Sequence, residues 1–140
     1  FMDRQLGRDN PLKILVAEDD YDSRKLLCDY LRLSGFTEVA TVTNGFEALR
    51  ALQYKPFDLV LMDVRMPVVC GVEATRRIRT GEVGTFAKDV HVVATTAYGH
   101  EGDRERCLEA GMNDCLEKPI NLRTFQYVLR RIAAAANLCT

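Results

Sequence analysis

Short apolar runs recur along the chain and are separated by segments with a different spacing. The runs at 13–17, 57–62 and 90–95 are apolar almost throughout, and two shorter candidate strands lie at 39–42 and 114–117. Continuous apolar runs of this length are typical of strands that are covered on both faces. The pattern therefore predicts five strands, of which the three long apolar runs are of the buried type.

The segments between these runs carry apolar residues three or four positions apart, which is the spacing of one helix face. Asn44 and Asn121 precede two of the segments and are suitable N-cap residues. The spacing predicts helices over 22–34, 46–53, 72–80 and 103–110, and a last helix that follows Asn121 and ends near the alanines at 133–136. In the third of these helices we expect the arginines to face outward, namely Arg76, Arg77 and Arg79.

Strand and helix alternate five times, and this alternation predicts a parallel sheet with helices on both faces. We expect an α/β fold of the flavodoxin-like (βα)5 type, doubly wound around a five-stranded parallel sheet in the order 2-1-3-4-5. The predicted domain covers 12–136. The polar residues 1–11 are expected to be a linker or an expression remnant, and 137–140 a short tail.

Composition narrows the class of protein. A chain of 140 residues with a net charge of -1 suggests one domain and argues against direct contact with nucleic acid or a membrane surface. No apolar stretch approaches the roughly 20 residues that span a bilayer. Five cysteines without a close CxxC pair fit neither a disulfide framework nor a zinc site. Free thiols indicate a reducing compartment, so we expect a cytoplasmic location.

Polar residues stand where the predicted strands end. Glu18 and Asp19 follow the first strand, Asp63 ends the third, Thr96 ends the fourth and Lys118 follows the fifth. In a doubly wound sheet, ligands bind beyond the carboxyl ends of the strands. We therefore expect these side chains to converge, although an acid after a strand can also be no more than a loop residue or a helix cap.

Converging acids need positive charge. Two carboxylates about 4 Å apart repel by about 4 kcal/mol at an effective dielectric of about 20. Lys118 supplies one compensating charge, and a divalent ion would supply the rest. Oxygen ligands suit Mg²⁺, with Mn²⁺ as the alternative. A phosphoryl group would complete the open side, held by the metal, Lys118 and Thr96, with Asp63 as the nucleophile.

Four segments carry a resemblance to a known family. They are Ile-Leu-Val-Ala-Glu-Asp-Asp at 14–20, the ten residues ending in Arg-Met-Pro at 58–67, Thr96-Ala97, and 111–120 with its Lys-Pro-Ile. In this order and spacing, the chain resembles the receiver domain of two-component response regulators over roughly 12–135. It is most similar to receivers attached to hybrid sensor histidine kinases.

The resemblance implies a phosphoacceptor in a two-component phosphorelay. Asp63 would take a phosphoryl group from a partner phosphohistidine in a Mg²⁺-dependent reaction and switch the conformation of the domain. The metal would be bound by Asp19, Asp63 and the backbone carbonyl of Arg65, with Glu18 acting through a metal-bound water.

The resemblance also implies roles on the other side of the pocket. Thr96 would move to hydrogen-bond a phosphoryl oxygen, and Lys118 would form an ion pair with the phosphoryl group. The bond between Lys118 and Pro119 would be cis, a form that is common only before proline.

Two positions depart from the family pattern. Cys115 stands three positions before the lysine, where receivers usually carry an aromatic switch residue, so Cys115 and Thr96 are the switch positions here. Tyr98 is a candidate substitute for the missing aromatic ring. Cys70 stands where close relatives have an acid, and we expect a neutral substitution there, with a redox role as the alternative.

The implied partner is a histidine kinase or a histidine phosphotransfer domain. We expect it to dock on the first helix, at Tyr21, Arg24, Leu27 and Cys28. The domain would not be an enzyme beyond catalysing its own phosphorylation and dephosphorylation, although the parent chain could be a histidine kinase anchored in a membrane. The domain itself is expected to contact neither membrane nor nucleic acid.

Three other functions remain as alternatives. A degenerate receiver would act only as a protein-interaction module. A Mg²⁺-dependent aspartyl phosphatase would need an acid two residues after Asp63, where Arg65 stands. A flavin-binding domain of similar topology would need a loop that cradles a phosphate, and the acidic loop after the first strand would repel one.

Overall fold

The computed structural model describes residues 12–97 and 102–139, and side chains up to residue 135. Strands and helices alternate strictly: β1 Lys13–Ala17, α1 Tyr21–Leu33, β2 Glu38–Val42, α2 Gly45–Tyr54, β3 Leu59–Asp63, α3 Gly71–Arg79, β4 His91–Thr96, α4 Asp103–Ala110, β5 Asp114–Glu117 and α5 Leu122–Cys139. The predicted linker at 1–11 and Tyr98, the candidate substitute for the aromatic switch residue, lie outside the described residues. Helix α5 continues past 136, the predicted end of the domain.

The five strands form one parallel sheet in the order β2-β1-β3-β4-β5, which confirms the predicted fold class. Strand β1 lies between β2 and β3, so the chain direction across the sheet reverses between β1 and β3. This reversal opens a crevice at the carboxyl ends of β1 and β3.

The central strands are buried on both faces, as their continuous apolar sequence predicts. On β3, Val60 and Met62 contact a core shared with α2, α3 and α4, whereas Leu59 and Leu61 contact a second core under α1 and α5. Because successive side chains of a strand point to opposite faces, one apolar run supplies both cores. The sheet is thereby held rigidly beneath the loops at its carboxyl edge.

Side chains fix the starts of three helices. Asp20 caps α1 by accepting a hydrogen bond from the Ser23 amide at 2.9 Å, and Asn44 caps α2 through the Glu47 amide at 2.8 Å. Asn121 accepts from the first amides of α5. Helix α4 differs, because its N-cap is Gly102 with φ of 87° and no side-chain hydrogen bond.

Arg79 does not point to solvent as predicted. Its guanidinium donates to the carbonyls of Gly111 at 2.9 Å and Val90 at 2.6 Å and to the side chain of Asn113 at 2.9 Å. Arg79 therefore joins the end of α3 to the loop before β4 and to the α4–β5 turn. Among the helices of the described residues, none is long and apolar enough to cross a bilayer.

Candidate functional site

The turn after β1 presents two acids at the crevice. Glu18 is fully buried, whereas the Asp19 side chain is exposed. The turn is held by the Glu18 amide, which donates to the carbonyl of Val42 at 3.1 Å, and by Arg24 of α1, which donates to the carbonyl of Glu18 at 2.9 Å. This role of Arg24 was not visible in the sequence.

Strand β3 ends on Asp63, which is 6% exposed. Helix α3 begins very close to this strand end, because Gly71 donates its amide to the carbonyl of Val64 at 2.9 Å. A Cβ atom on Gly71 would lie 2.1 Å from the backbone oxygen of Asp63. Only glycine permits the start of α3 to approach the end of β3 this closely.

The structure brings the predicted acids and the lysine together. Ligand oxygens of Glu18, Asp19 and Asp63 all lie within 4.8 Å of one another. Lys118, in the loop after β5, places its Nζ 3.0 Å from Oε1 of Glu18 and 3.6 Å from Oδ1 of Asp63. The peptide bond between Lys118 and Pro119 is cis, as expected.

Burial and neighbouring charge change the acidity of this pocket. Burial, together with the hydrogen bond and negative charge of Glu18, raises the pKa of Asp63 from 3.8 to about 7. Lys118 and the backbone amide of Arg65 act in the opposite direction and do not cancel the effect. Burial of Lys118 opposes its charge, but Glu18 and Asp63 outweigh this and raise the pKa of Lys118. Lys118 therefore stays protonated beside Asp63, whose ionised form is disfavoured by burial and by Glu18.

Thr96 is the last residue of β4 and is joined by its backbone to the residue that supplies the lysine of the pocket. The Lys118 amide donates to the Thr96 carbonyl at 2.7 Å, which ties the end of β4 to the loop after β5. The Thr96 hydroxyl lies 3.8 Å from the sulfur of Cys115, and Cys115 is partly buried. A thiol therefore contacts the threonine from the position at which the sequence lacks the expected aromatic ring.

The three acids form a suitable site for a divalent cation. All donor atoms are oxygens, and their spread is close to the roughly 4 Å between opposite ligands of an octahedral Mg²⁺ ion. The exposed Asp19 side chain leaves an open side where water or a substrate oxygen can complete the coordination. The residues present therefore fit Mg²⁺.

Nothing in the sequence indicated that Asp103 and Arg106 lie near the pocket. Arg65 donates Nη2 to both carboxylate oxygens of Asp103, at 3.0 Å each, and Arg106 forms an ion pair with the same carboxylate. Asp103 is 2% exposed. The sequence showed Asp103 only as the first residue of a helix, because the contact spans 38 positions.

The exposure of Leu27 and of Cys70 bears on two other predictions. Leu27 is 1% exposed and packs in the core beneath α1, so it offers a partner almost no surface. Its neighbour Leu26 is 39% exposed instead. Cys70 is exposed and stands at the N-cap of α3 without a side-chain cap hydrogen bond.

A comparison with protein-family models matches the response regulator receiver domain over residues 14–130, which is most of the chain. The chain belongs to the receiver domain family. Relatives of this receiver include the hybrid signal transduction histidine kinase G of Dictyostelium discoideum, 35% identical over 93% of this chain and 4% of the kinase. They also include the transcriptional regulatory protein CpxR homolog of Haemophilus influenzae, 40% identical over 89% of this chain and 53% of that protein.

The receiver thus spans about half the length, or much less, of these relatives. A solved structure of similar size is the receiver domain of the sensor histidine kinase PA1611 from Pseudomonas aeruginosa PAO1. It superposes with a TM-score of 0.79 at 37% identity, covering 88% of this chain and 98% of that one. That receiver holds a magnesium ion coordinated in its active-site cleft.

Proposed function

We propose that this receiver is a Mg²⁺-dependent phosphoacceptor in which Asp63 takes a phosphoryl group from a phosphohistidine of a histidine kinase or histidine phosphotransfer domain. The observation that carries the proposal is the buried Asp63 carboxylate, held against Glu18 and Asp19 with Lys118 3.6 Å away. A carboxylate in that position is costly to the fold, so its function is the reason for its presence.

The chemistry follows from the charges around Asp63. One oxygen of Asp63 attacks the phosphorus atom, the bond between phosphorus and the histidine nitrogen breaks, and the imidazole retains the electron pair. Glu18, Asp19, Asp63 and the carbonyl of Arg65 would hold Mg²⁺, which neutralises charge on the phosphoryl oxygens when it is bound. Lys118 would form an ion pair with the transferred group.

The response to phosphorylation would begin at the other edge of the pocket. Thr96 lies beside the pocket and can turn its hydroxyl toward a phosphoryl oxygen, which would break its contact with Cys115. We infer that this shifts an equilibrium between two conformations of the surface around β4 and β5. No reaction beyond phosphorylation and dephosphorylation of the domain itself is proposed.

A groove beside the pocket suits the docking of the phosphohistidine domain. It has a volume of about 400 Å³ and lies between α1 and the loop after β5. Apolar side chains predominate in its lining, and Lys118 of the acidic pocket belongs to the lining as well. The lining residues are Asp22, Ser23, Leu26, Leu27, Ala97, Lys118, Pro119 and Ile120. Leu26, rather than the predicted Leu27, would be the exposed anchor for the partner.

The test of the proposed reaction is incubation with Mg²⁺ and acetyl phosphate, followed by intact mass. We expect a gain of one phosphoryl group in the native chain, its loss with EDTA, and its loss in Asp63→Asn. Asp58→Asn serves as a control, because the Asp58 side chain accepts a hydrogen bond from the Lys13 amide at the far end of β1, away from the acidic pocket. A gain that persists in Asp63→Asn would refute the assignment, and no gain in the native chain would favour a pure interaction module.

The docking groove has its own test. Leu26→Asp should slow phosphotransfer from a phosphohistidine domain while leaving phosphorylation by acetyl phosphate unchanged. Leu33→Asp is the matched control, because Leu33 is also exposed but lies at the other end of α1. Equal phosphotransfer rates in the two variants would remove the groove from the proposal. The expected cytoplasmic location stays a prediction.

A further inference from the structure

A cluster of charges outside the acidic pocket joins the loop after β3 to helix α4. Asp103 is buried at the first position of α4, and its carboxylate accepts from Arg65 and Arg106. Arg106 belongs to α4 itself, whereas Arg65 lies two residues after Asp63. Of Arg65 and Arg106, Arg65 is therefore the partner of Asp103 that connects α4 to the loop after β3.

The ion pair between Arg65 and Asp103 holds the first turn of α4 to the loop after β3. The N-cap of α4, Gly102, offers no side chain to the free amides of the turn. A buried carboxylate needs strong partners, since an unpaired one costs several kcal/mol. The pair between Arg65 and Asp103 thus fixes where the helix begins relative to the loop.

The Arg65 side chain lies where it can bind a second anion besides Asp103. Arg65 lies two residues after Asp63 and lines the same cleft as Asp19 of the acidic pocket. Its side chain is 54% exposed and borders an open cleft of about 580 Å³. The cleft reaches from Asp19 in the pocket to Arg106 on α4, so the guanidinium can turn from one end toward the other without displacing core side chains.

We propose that Arg65 exchanges partners when Asp63 is phosphorylated: it holds Asp103 in the unmodified receiver and binds the phosphoryl oxygens in the modified one. This inference rests on the proposed function. A phosphoryl group adds negative charge and three strong acceptors, and a guanidinium binds such oxygens in pairs. Asp103 retains Arg106 after the exchange, so no buried charge is left without a partner.

The exchange supplies a relay from the phosphorylation site to the surface. In the unmodified state the first turn of α4 is tied to the loop after β3, and in the phosphorylated state that tie is released. The signal would thus leave the pocket through an ion pair, in a receiver where Cys115 stands at the aromatic switch position. Asp103 and Arg65 are positioning residues in this scheme, and neither reacts.

The experiment is hydrogen exchange of the peptide that covers the start of α4, with Mg²⁺ present and with or without acetyl phosphate. In the native chain we expect phosphorylation to raise about tenfold the exchange rate of the Arg106 amide, which donates to the Gly102 carbonyl, since one charged hydrogen-bonded pair that holds this turn is lost. In Arg65→Gln the turn should exchange fast in both states, with no further response. Arg104→Gln is the matched control and should keep the response, because Arg104 is an exposed arginine of the same turn and the Asp103 carboxylate is paired with Arg65 and Arg106 instead.

Intact mass on the same samples separates the two proposals. If Arg65→Gln gains a phosphoryl group and its α4 still responds as in the native chain, the relay is refuted while the phosphoacceptor function stands. If the native chain gains no phosphoryl group, both proposals fail. Asp103→Asn provides a second test of the same link from the other side, and a native response in that variant would equally overturn the relay.

Discussion

Replacing Asp63 by asparagine should make the metal-free fold more stable. The pKa of Asp63 is raised from 3.8 to about 7, chiefly by burial and then by Glu18. At about 1.4 kcal/mol for each pH unit, ionised Asp63 costs the folded state about 4 kcal/mol. Asparagine has the same shape and no charge, but its amide still has to be desolvated. We therefore expect Asp63→Asn to raise the free energy of unfolding by about 2 kcal/mol, half of the roughly 4 kcal/mol that ionised Asp63 costs.

The gain should depend on pH with a defined sign. A carboxyl whose folded pKa is raised binds a proton more tightly when folded, so its cost is absent below pH 3.8 and grows as the pH rises toward 7. The advantage of Asp63→Asn should thus be small at pH 5 and largest at pH 8. A gain of about 2 kcal/mol corresponds to roughly 6 °C in Tm for a domain of this size.

The assay is thermal unfolding in EDTA at pH 5 and pH 8. Asp29→Asn is the control with the opposite sign, because the hydrogen bonds from Lys25 and Arg32 lower the pKa of Asp29. That variant should lose stability to a similar extent at pH 5 and pH 8, because both lie above 3.8, where Asp29 is ionised in the folded and unfolded states. Mg²⁺ should raise the Tm of the native chain and not that of Asp63→Asn. An unchanged or lower Tm for Asp63→Asn at pH 8 would refute the reasoning about a strained carboxylate.

Three further predictions concern the loop after β3 and the thiols. Gly71→Ala should destabilise the fold by about 3 kcal/mol or more, measured by urea unfolding, because the new Cβ would lie 2.1 Å from the backbone oxygen of Asp63. Val68→Gly should stabilise by about 1 kcal/mol in the same assay, since a β-branched residue at φ of 72° is strained. Iodoacetamide at pH 8 should alkylate the exposed Cys70 before Cys107, because burial raises the pKa of the Cys107 thiol to about 11; equal rates on mass mapping would contradict this.

The sequence predicted the sheet well, because the central strands are buried on both faces and so carry an unambiguous pattern. The run at 57–62 could hardly be anything other than a buried strand, and Asn44 and Asn121 cap the helices that they were expected to start. The acidic pocket was equally predictable, since the order of a doubly wound sheet brings the ends of β1 and β3 together.

The directions of side chains and the long-range ion pairs were harder to predict from the sequence. Arg79 was expected at the surface, yet it binds backbone carbonyls across two turns, and polar side chains that satisfy carbonyls leave no periodic signal. Leu26 and Leu27 are adjacent leucines, and the spacing alone did not decide which one faces the core. The contact between Arg65 and Asp103 depends on how α4 sits against the loop after β3, which no local pattern records.

The most direct test of the central claim is to locate the phosphoryl group itself. After phosphorylation by acetyl phosphate and Mg²⁺, borohydride reduces an acyl phosphate of aspartate to homoserine, and peptide mass mapping identifies the position. The account predicts homoserine at residue 63 alone, and none when EDTA is present. Homoserine at Asp19, or a phosphorylated chain without homoserine at residue 63, would contradict it.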